Sequence, residues 1–237
     1  MPQRKQPGLQ SYDWDAIEEE ILSQGYGHLP QVLDSDDCKG LIRLYDNTAS
    51  FRKRIIMEQY NFGIGEYSYF SYPLPNIVGY LRTGLYRHLV PIANRFMHAL
   101  RIPLSYPHTL KAFQNQCRKV GQTRPTPLML RYDAGGFNCL HRDLYGETVF
   151  PLQAMIVLNQ ETQDFQGGEF VLVENRPRQQ ARAMVLHPNQ GDVVIFPVAD
   201  RPIQGKRGML RASMRHGVSR IVSGRRWVLG IIFHDAA

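Results

Sequence analysis

Apolar residues recur at helical spacing in the first half of the chain. A polar stretch over residues 1–11 predicts a flexible tail. After it, Trp14, Ile17 and Ile21 predict one buried face of an amphipathic helix that ends at Gly25. The other elements expected in this half are a short strand and three helices, over about residues 29–33, 34–45, 75–100 and 109–120.

The pattern changes after Pro127. Short apolar runs then alternate with Gly, Pro and Asn, which indicates the regularly spaced strands of a sandwich or barrel. Helices first and strands afterwards favour an α+β fold in one domain over residues 12–237, with a helical support over about 12–126 and a β core over about 127–237. The predicted strands cover residues 128–132, 148–158, 169–174, 181–187, 192–198, 210–222 and 226–234.

Composition excludes several classes of protein. The 237 residues can bury a sizeable core, and hydrophobic and charged fractions of 43% and 21% are ordinary for a soluble globular chain. No apolar run approaches the roughly 20 residues of a membrane helix, and the opening residues do not have the pattern expected of a signal peptide. The three scattered cysteines form neither a disulfide framework nor a zinc motif, so we expect a reducing, cytoplasmic location.

The net charge of +7 is concentrated late in the chain. Residues 201–226 contain eight basic side chains and no acidic one, which is typical of a surface for DNA or RNA and equally of a solvated basic face. The basic residues are Arg201, Lys206, Arg207, Arg211, Arg215, Arg220, Arg225 and Arg226.

Two histidines and an aspartate carry the candidate chemistry. His141 and Asp143 form a His-x-Asp pair, and on one strand the period of two directs both side chains into the same cavity. His216, far along the chain, supplies a third ligand. Two imidazoles and one carboxylate are the donors that hold non-haem Fe(II) on one face and leave open positions. The alternative is two unrelated histidines near a surface aspartate.

Residues on either side of this set extend it. Tyr132 precedes a Gly-Gly turn and is placed to bring its hydroxyl to the same cavity, unless it is an ordinary core tyrosine. The pair Ser223-Gly224 predicts a turn, so Arg226 is expected near the start of a new strand, ten residues after His216. Arg225 and Arg226 should point in opposite directions, and the alternation does not say which one faces inwards.

With these residues in place, the chain resembles the Fe(II)/2-oxoglutarate-dependent dioxygenases. The resemblance implies a double-stranded β-helix (jelly roll), Fe(II) on His141, Asp143 and His216, and 2-oxoglutarate held by Arg226 and Tyr132. It also implies O2 as oxidant, with hydroxylation or demethylation of the substrate. Two further matches are a Gly-Gly-Glu strand entry and a Gly-Asp strand, at residues 164–170 and 191–196.

The N-terminal half resembles a bacterial family of such oxygenases proposed to modify nucleic acids, through residues 62–75 and 121–127. This favours a modified or alkylated nucleic-acid base as substrate, with the basic stretch on phosphates. The aromatic residues between Tyr60 and Tyr72 then stack on an extruded base, or alternatively pack the helical support against the β core.

Two other functions stay open at this point. The ten-residue spacing to Arg226 is that of prolyl-hydroxylase-like enzymes, which indicates a prolyl or aminoacyl hydroxylase acting on protein. The other alternative is a non-catalytic jelly-roll binding or sensor module. The sequence makes no prediction for the oligomeric state or for the roles of Arg142 and Arg225.

Overall fold

Two antiparallel sheets and a helical layer make up the fold. The computed structural model describes residues 8–206 and 208–237. Within them, no helix combines the length and apolarity that crossing a bilayer requires. The helices are α1 (Trp14–Gln24), α2 (Ser35–Leu44), α3 (Asn76–Ala99) and α4 (Leu110–Lys119).

The strands come from both halves of the chain. The first seven are β1 (Gly27–Leu29), β2 (Phe51–Ile56), β3 (Gly63–Ile64), β4 (Glu66–Phe70), β5 (Leu128–Asp133), β6 (Phe137–His141) and β7 (Leu152–Val157). The other seven are β8 (Phe165–Gly167), β9 (Phe170–Asn175), β10 (Arg182–Leu186), β11 (Val193–Pro197), β12 (Asp200–Gly205), β13 (Gly208–Val218) and β14 (Ile221–Ile231).

Side-chain caps begin three of the helices. The Asp13 carboxylate accepts a hydrogen bond from a backbone amide at the start of α1, Asp34 accepts two at α2, and Thr109 accepts one at α4. Gly25 ends α1 in a left-handed conformation with φ of 92°, as its position predicts. The four predicted helices are therefore confirmed.

The sheets face each other as in a jelly roll. The larger has the order β1-β11-β7-β14-β5-β4-β2, with β8 beside β14. The smaller has the order β10-β9-β13-β6-β3, with β12 beside β13. This confirms the α+β jelly-roll expectation.

Alternation along β7 shows how the layers divide. Leu152, Ala154 and Ile156 belong to the core shared with the helices, whereas Met155 and Val157 belong to a second core between the sheets. All six residues of this strand are buried because both its faces are covered. The helices thus cover one face of the larger sheet, and its other face encloses the space between the sheets.

The N-terminal segment differs from its prediction. Residues 1–7, most of the predicted flexible tail, lie outside the described residues, and Leu9–Ser11 form a 3-10 turn in which the Leu9 side chain is buried. The short strand is β1, just before the predicted 29–33, because Gln31 turns the chain with φ of 55°. The segment expected to be helical also contributes β1, β2 and β4 to the larger sheet.

The turn predicted at Ser223-Gly224 is wrong. The chain crosses from β13 in one sheet to β14 in the other at residues 219–220, and Gly224 lies inside β14. Its φ is 76°, and a side chain there would clash with the backbone of Asp164. The glycine therefore allows β14 to pass close to the chain entering β8, and does not mark a strand end.

Candidate active site

The three predicted metal ligands lie close together where strand β6 of the smaller sheet ends. His141 is the last residue of β6 and lies directly opposite His216 of β13, while Asp143 follows in the loop after β6. The His216 Nε2 atom is 3.2 Å from Asp143 Oδ2, and His141 Nε2 is 3.6 Å from Asp143 Oδ1. The three ligand atoms lie within 4.8 Å of one another, so this donor set fits the two-histidine, one-carboxylate site of Fe(II).

Neighbouring groups orient two of the ligands. His141 Nδ1 donates a hydrogen bond to the Cys139 carbonyl at 2.7 Å, which directs Nε2 towards the other ligands. The Tyr145 hydroxyl donates to Asp143 Oδ1 at 2.7 Å. Among the described residues, His216 Nδ1 has no hydrogen-bond partner.

The protonation states suit metal binding. Burial raises the pKa of Asp143. The hydrogen bond to His216, the charges of the two imidazoles and the hydrogen bond from the Tyr145 hydroxyl together outweigh burial, and they hold the pKa well below its usual range. Burial, and next the charge of His216, lower the pKa of His141. An ionised carboxylate and a neutral imidazole are the forms that coordinate a cation.

The ligands form part of the wall of a cavity of about 350 Å³ between the sheets. Most of the wall is apolar, which favours the exclusion of water from a bound substrate. Residues of the larger sheet that line it include Leu130, Met155, Phe196 and Val228.

Arg226 is the buried cation of this cavity. It lies on β14 opposite Tyr132 of β5; the two side chains are 2% and 0% exposed. Among the described residues, Arg226 Nε and Nη1 have no hydrogen-bond partner. Burial lowers the Arg226 pKa to about 10, a value at which the group stays charged at neutral pH. The cavity therefore contains an unpaired positive charge that an anion from solution can satisfy.

Gly168, in the Gly-Gly-Glu segment, makes room for that arginine. Its φ is 70°, and a Cβ atom there would clash with Ile221 and lie 3.0 Å from Arg226 Cδ. Tyr132 accepts a hydrogen bond from Asn138 Nδ2 at 3.2 Å, so its hydroxyl hydrogen is free to donate. The sequence-predicted residues Tyr132 and Arg226 thus share one end of the cavity.

Arg225 has the opposite environment. Its guanidinium is about half exposed and pairs with Asp133 at 2.5 Å on the neighbouring strand. The alternation expected from the sequence is therefore present, and Arg226 is the residue that faces inwards.

Tyr145 and Gln153 are polar residues of the cavity that were not predicted from the sequence. Tyr145 is recognisable only from its contact with Asp143. Gln153 is 2% exposed, lines the cavity, and has an Nε2 atom without a hydrogen-bond partner among the described residues. A glutamine inside the apolar run 148–158 was a signal that the sequence offered.

The basic stretch is not one continuous surface. Arg201 is fully buried and pairs with Glu174, and Arg226 faces the cavity. Arg211 pairs with Asp200, while Arg207 lies outside the described residues. Apart from the cavity-facing Arg226, the basic residues without an ion-pair partner in the described part of the stretch are Lys206, Arg215 and Arg220.

The aromatic residues between Tyr60 and Tyr72 also divide into buried and exposed side chains. Tyr69 and Phe70 are buried in the hydrophobic cores, which is the packing role considered above. Tyr60 and Phe62 are about half exposed, at 49% and 46%, and Phe62 lines the cavity. The packing interpretation therefore holds for Tyr69 and Phe70, whereas Tyr60 and Phe62 are exposed to solvent.

Known proteins share this fold. A Trichoplax adhaerens prolyl hydroxylase in complex with a hypoxia inducible factor peptide superposes with a TM-score of 0.54 at 11% identity, covering 97% of this chain and 96% of that one. A Burkholderia pseudomallei oxidoreductase of the 2OG-Fe(II) oxygenase family gives 0.52 at 16% identity, covering 96% and 93%. A Pseudomonas putida prolyl-4-hydroxylase gives 0.51 at 13% identity, covering 94% and 99%. At these identities the likeness shows the fold alone.

Sequence relatives define the family. Uncharacterized proteins from two strains of Mycobacterium tuberculosis are each 44% identical over 170 residues, which is 72% of this chain and 73% of each relative. Residues 65–236 match the family Oxygenase-NA, described as "Oxygenase, catalysing oxidative methylation of damaged DNA". That match includes all three metal-type ligands, Tyr132 and Arg226, and the chain therefore belongs to the Oxygenase-NA family of oxygenases.

Proposed function

We propose that this chain is an Fe(II)- and 2-oxoglutarate-dependent dioxygenase that oxidises a modified or alkylated nucleic-acid base. The observation that carries the proposal is one cavity with an Fe(II)-type donor set in its wall and the unpaired, buried Arg226 among its lining residues. The family description, which names damaged DNA, supports the substrate. The three free cysteines suit the reducing, cytoplasmic location expected from the sequence.

Arg226 and Tyr132 would bind the distal carboxylate of 2-oxoglutarate. A planar guanidinium matches a carboxylate through two parallel, charge-assisted hydrogen bonds, and Arg226 has two buried donors without partners. The Tyr132 hydroxyl adds a donor, because burial raises its pKa and keeps it protonated. His141, Asp143 and His216 would hold Fe(II).

When bound, Fe(II) and 2-oxoglutarate would supply the oxidation: one atom of O2 would enter succinate with release of CO2, and the other would be inserted into a substrate C–H bond. On an N-methyl group, the hydroxymethyl product breaks its C–N bond and gives formaldehyde and the demethylated amine. The chain positions these groups: Tyr145 orients Asp143, the Cys139 carbonyl orients His141, and the apolar wall excludes water.

Succinate release tests the chemistry. We expect release that requires Fe(II) and 2-oxoglutarate and disappears in His141→Ala and Asp143→Ala. His187→Ala is the matched control, because this exposed histidine lies beside two glutamates but outside the cavity lining. Loss of bound iron in the control but not in His141→Ala would contradict the assignment. An absence of turnover with every substrate offered would favour the binding module.

Mass spectrometry tests the substrate. The reconstituted enzyme is incubated with N-methylated oligonucleotides and with proline-containing peptides. Loss of 14 mass units per methyl group (roughly one CH₂) from the oligonucleotide, with formaldehyde, is the expected result. A gain of one oxygen by the peptide alone would refute the nucleic-acid substrate and leave the oxygenase chemistry intact.

A further inference from the structure

Two stacked aromatic rings stand at the mouth of the cavity. The ring centroids of Tyr60 and Phe62 are 5.5 Å apart with an angle of 19° between the planes. About half of each side chain is exposed. Phe62 and its neighbour Asn61 line the cavity, and so does Leu140, which is 40% exposed and precedes the ligand His141. Exposed flat rings beside a catalytic cavity are a feature of sites that bind planar groups.

The backbone fixes this aromatic pair beside the metal-type ligands. The Phe62 carbonyl accepts a hydrogen bond from the Cys139 amide at 2.8 Å, and Gly63 pairs with Asn138 across β3 and β6. A side chain at Gly63, whose φ is 134°, would clash with the Phe137 carbonyl, so the glycine lets this loop pack closely against β6. The backbone that carries Phe62 is therefore held beside the strand that ends at His141.

Two arginines without acidic partners lie near the two ends of β6. Arg142 is exposed and lines the cavity; its Nε donates to the Met214 carbonyl at 3.2 Å, which leaves the terminal amino groups to bind another molecule. Arg220 is also exposed, and its Nη2 lies 4.0 Å from the Cβ position of Gly135, in the turn that leads into β6. Neither arginine forms an ion pair with any residue in the described ranges 8–206 and 208–237.

We propose that Tyr60, Phe62, Arg142 and Arg220 form the binding surface for single-stranded nucleic acid. This inference rests on the proposed function. One base would enter the cavity, its neighbour would stack on the exposed ring face, and the adjoining phosphates would meet the two arginines. Unpaired arginines beside aromatic rings match a polyanion with flat bases better than they match a peptide. A base in a duplex has both faces covered, so the surface fits an unpaired segment.

Binding of a fluorescent 12-nucleotide oligonucleotide, followed by anisotropy, tests the surface. Single-stranded DNA should bind more tightly than the same sequence in duplex form. Phe62→Ala and Tyr60→Ala should each weaken binding at least about fivefold, the lower limit for loss of one stacked base. Phe62→Leu keeps apolar bulk without a flat ring and should weaken binding as well. Tyr80→Ala, which removes an exposed tyrosine on α3, is the matched control and should bind as the wild type does.

Salt dependence tests the arginines separately. Arg142→Ala and Arg220→Ala should each reduce the slope of log affinity against log salt by about 0.7, the value for one phosphate contact on a single strand. Arg87→Ala on α3, also exposed and without an ion pair in the described residues, should leave the slope unchanged. Equal slopes in all three variants would refute the assignment of phosphates to this surface.

Cys139 gives a readout that needs no variant. It lines the cavity and is the exposed cysteine of the chain, whereas Cys38 and Cys117 are buried. A saturating single-stranded oligonucleotide should slow its alkylation by a maleimide, measured by mass spectrometry of the labelled peptide. Unchanged labelling despite oligonucleotide binding would overturn the proposed surface even if a variant failed to fold.

The outcomes separate this inference from the proposed function. If the enzyme demethylates oligonucleotides but Phe62→Ala and Tyr60→Ala bind them normally, the surface is wrong and the function stands. If the wild type neither binds nor oxidises nucleic acid and instead hydroxylates a peptide, the proposed substrate is wrong, and the surface with it. Equal affinity for duplex and single strand would refute the preference for unpaired bases.

Discussion

Replacing Arg226 by methionine should have opposite effects on stability and on co-substrate binding. In the protein alone, the guanidinium is 2% exposed and has two nitrogen atoms without hydrogen-bond partners, so its burial opposes folding. An apolar side chain of similar length removes that cost, and even a buried arginine that is ion-paired can be replaced together with its partner by apolar residues at no loss or with a gain of about 1–4 kcal/mol. We therefore expect Arg226→Met to unfold at an unchanged or higher urea concentration.

The same substitution should weaken 2-oxoglutarate binding on the order of 100-fold. Two charge-assisted hydrogen bonds are lost, each worth roughly 1.5–3 kcal/mol. A total of about 3 kcal/mol corresponds to a factor of about 10² in the dissociation constant. Calorimetric titration of the anaerobic, Fe(II)-loaded protein with 2-oxoglutarate measures this change, and the KM for 2-oxoglutarate in succinate release should rise with it.

Arg201→Met is the matched control. Arg201 is as deeply buried as Arg226, but it forms an ion pair with the buried carboxylate of Glu174. Its removal leaves that carboxylate less well compensated and should destabilise the protein by about 3–5 kcal/mol without a specific effect on 2-oxoglutarate. An Arg226→Met variant that is destabilised as much as Arg201→Met, or that binds 2-oxoglutarate as the wild type does, would refute this role of Arg226.

Three further predictions concern other parts of the structure. Tyr145→Phe removes the donor to the carboxylate ligand and should weaken Fe(II) binding about 10- to 100-fold in a metal titration. Gly168→Ala combines a left-handed backbone with a clash against β14 and should lower the melting temperature more than Gly121→Ala, where φ is 79° and the space is open. A hydrogen bond to Asp192 raises the pKa of His28 above 6.5, so the charged pair stabilises the fold fully below about pH 6.5. The stability difference between wild type and His28→Gln should shrink as the pH rises through that raised pKa, as urea unfolding at several pH values can show.

One measured outcome would contradict each of the predictions for Tyr145, Gly168 and His28. Unchanged iron affinity in Tyr145→Phe would mean that its hydroxyl does not orient Asp143. Equal melting temperatures for the Gly168 and Gly121 variants would show that backbone conformation, not the clash, sets the cost. A stability difference at His28 that is constant or grows with pH would contradict the sign of its pKa shift.

The sequence located the site better than it located the elements around it. His141, Asp143, His216, Tyr132 and Arg226 lie in one cavity wall, as their spacing and the family resemblance predicted. His141 and Asp143 are only two residues apart, so the motif is visible in a single sequence, although Asp143 lies in the loop after β6 and not on the strand as expected. Contacts such as that between Tyr145 and Asp143 form only in the tertiary fold, so no local pattern indicated them.

The predicted turn and the basic stretch over residues 201–226 differ from expectation because both depend on contacts between distant segments of the chain. Ser223-Gly224 is a common turn pair, but here the glycine is needed where β14 crosses close to another segment. The charges between residues 201 and 226 look unpaired because their acidic partners Glu174, Asp133 and Asp200 lie outside that stretch. Burial and cross-strand pairing are properties of the folded chain, and they decided which arginines face solvent.

The direct pairing of His141 with His216 has a consequence for folding. These residues are far apart in the sequence and become neighbours only when β6 and β13 form their ladder. A metal ion bound there acts as a reversible crosslink between two distant segments, and its binding energy is added to the free energy of unfolding. Iron retention should therefore report on the integrity of the smaller sheet, and chelation should lower the temperature at which the sheets separate.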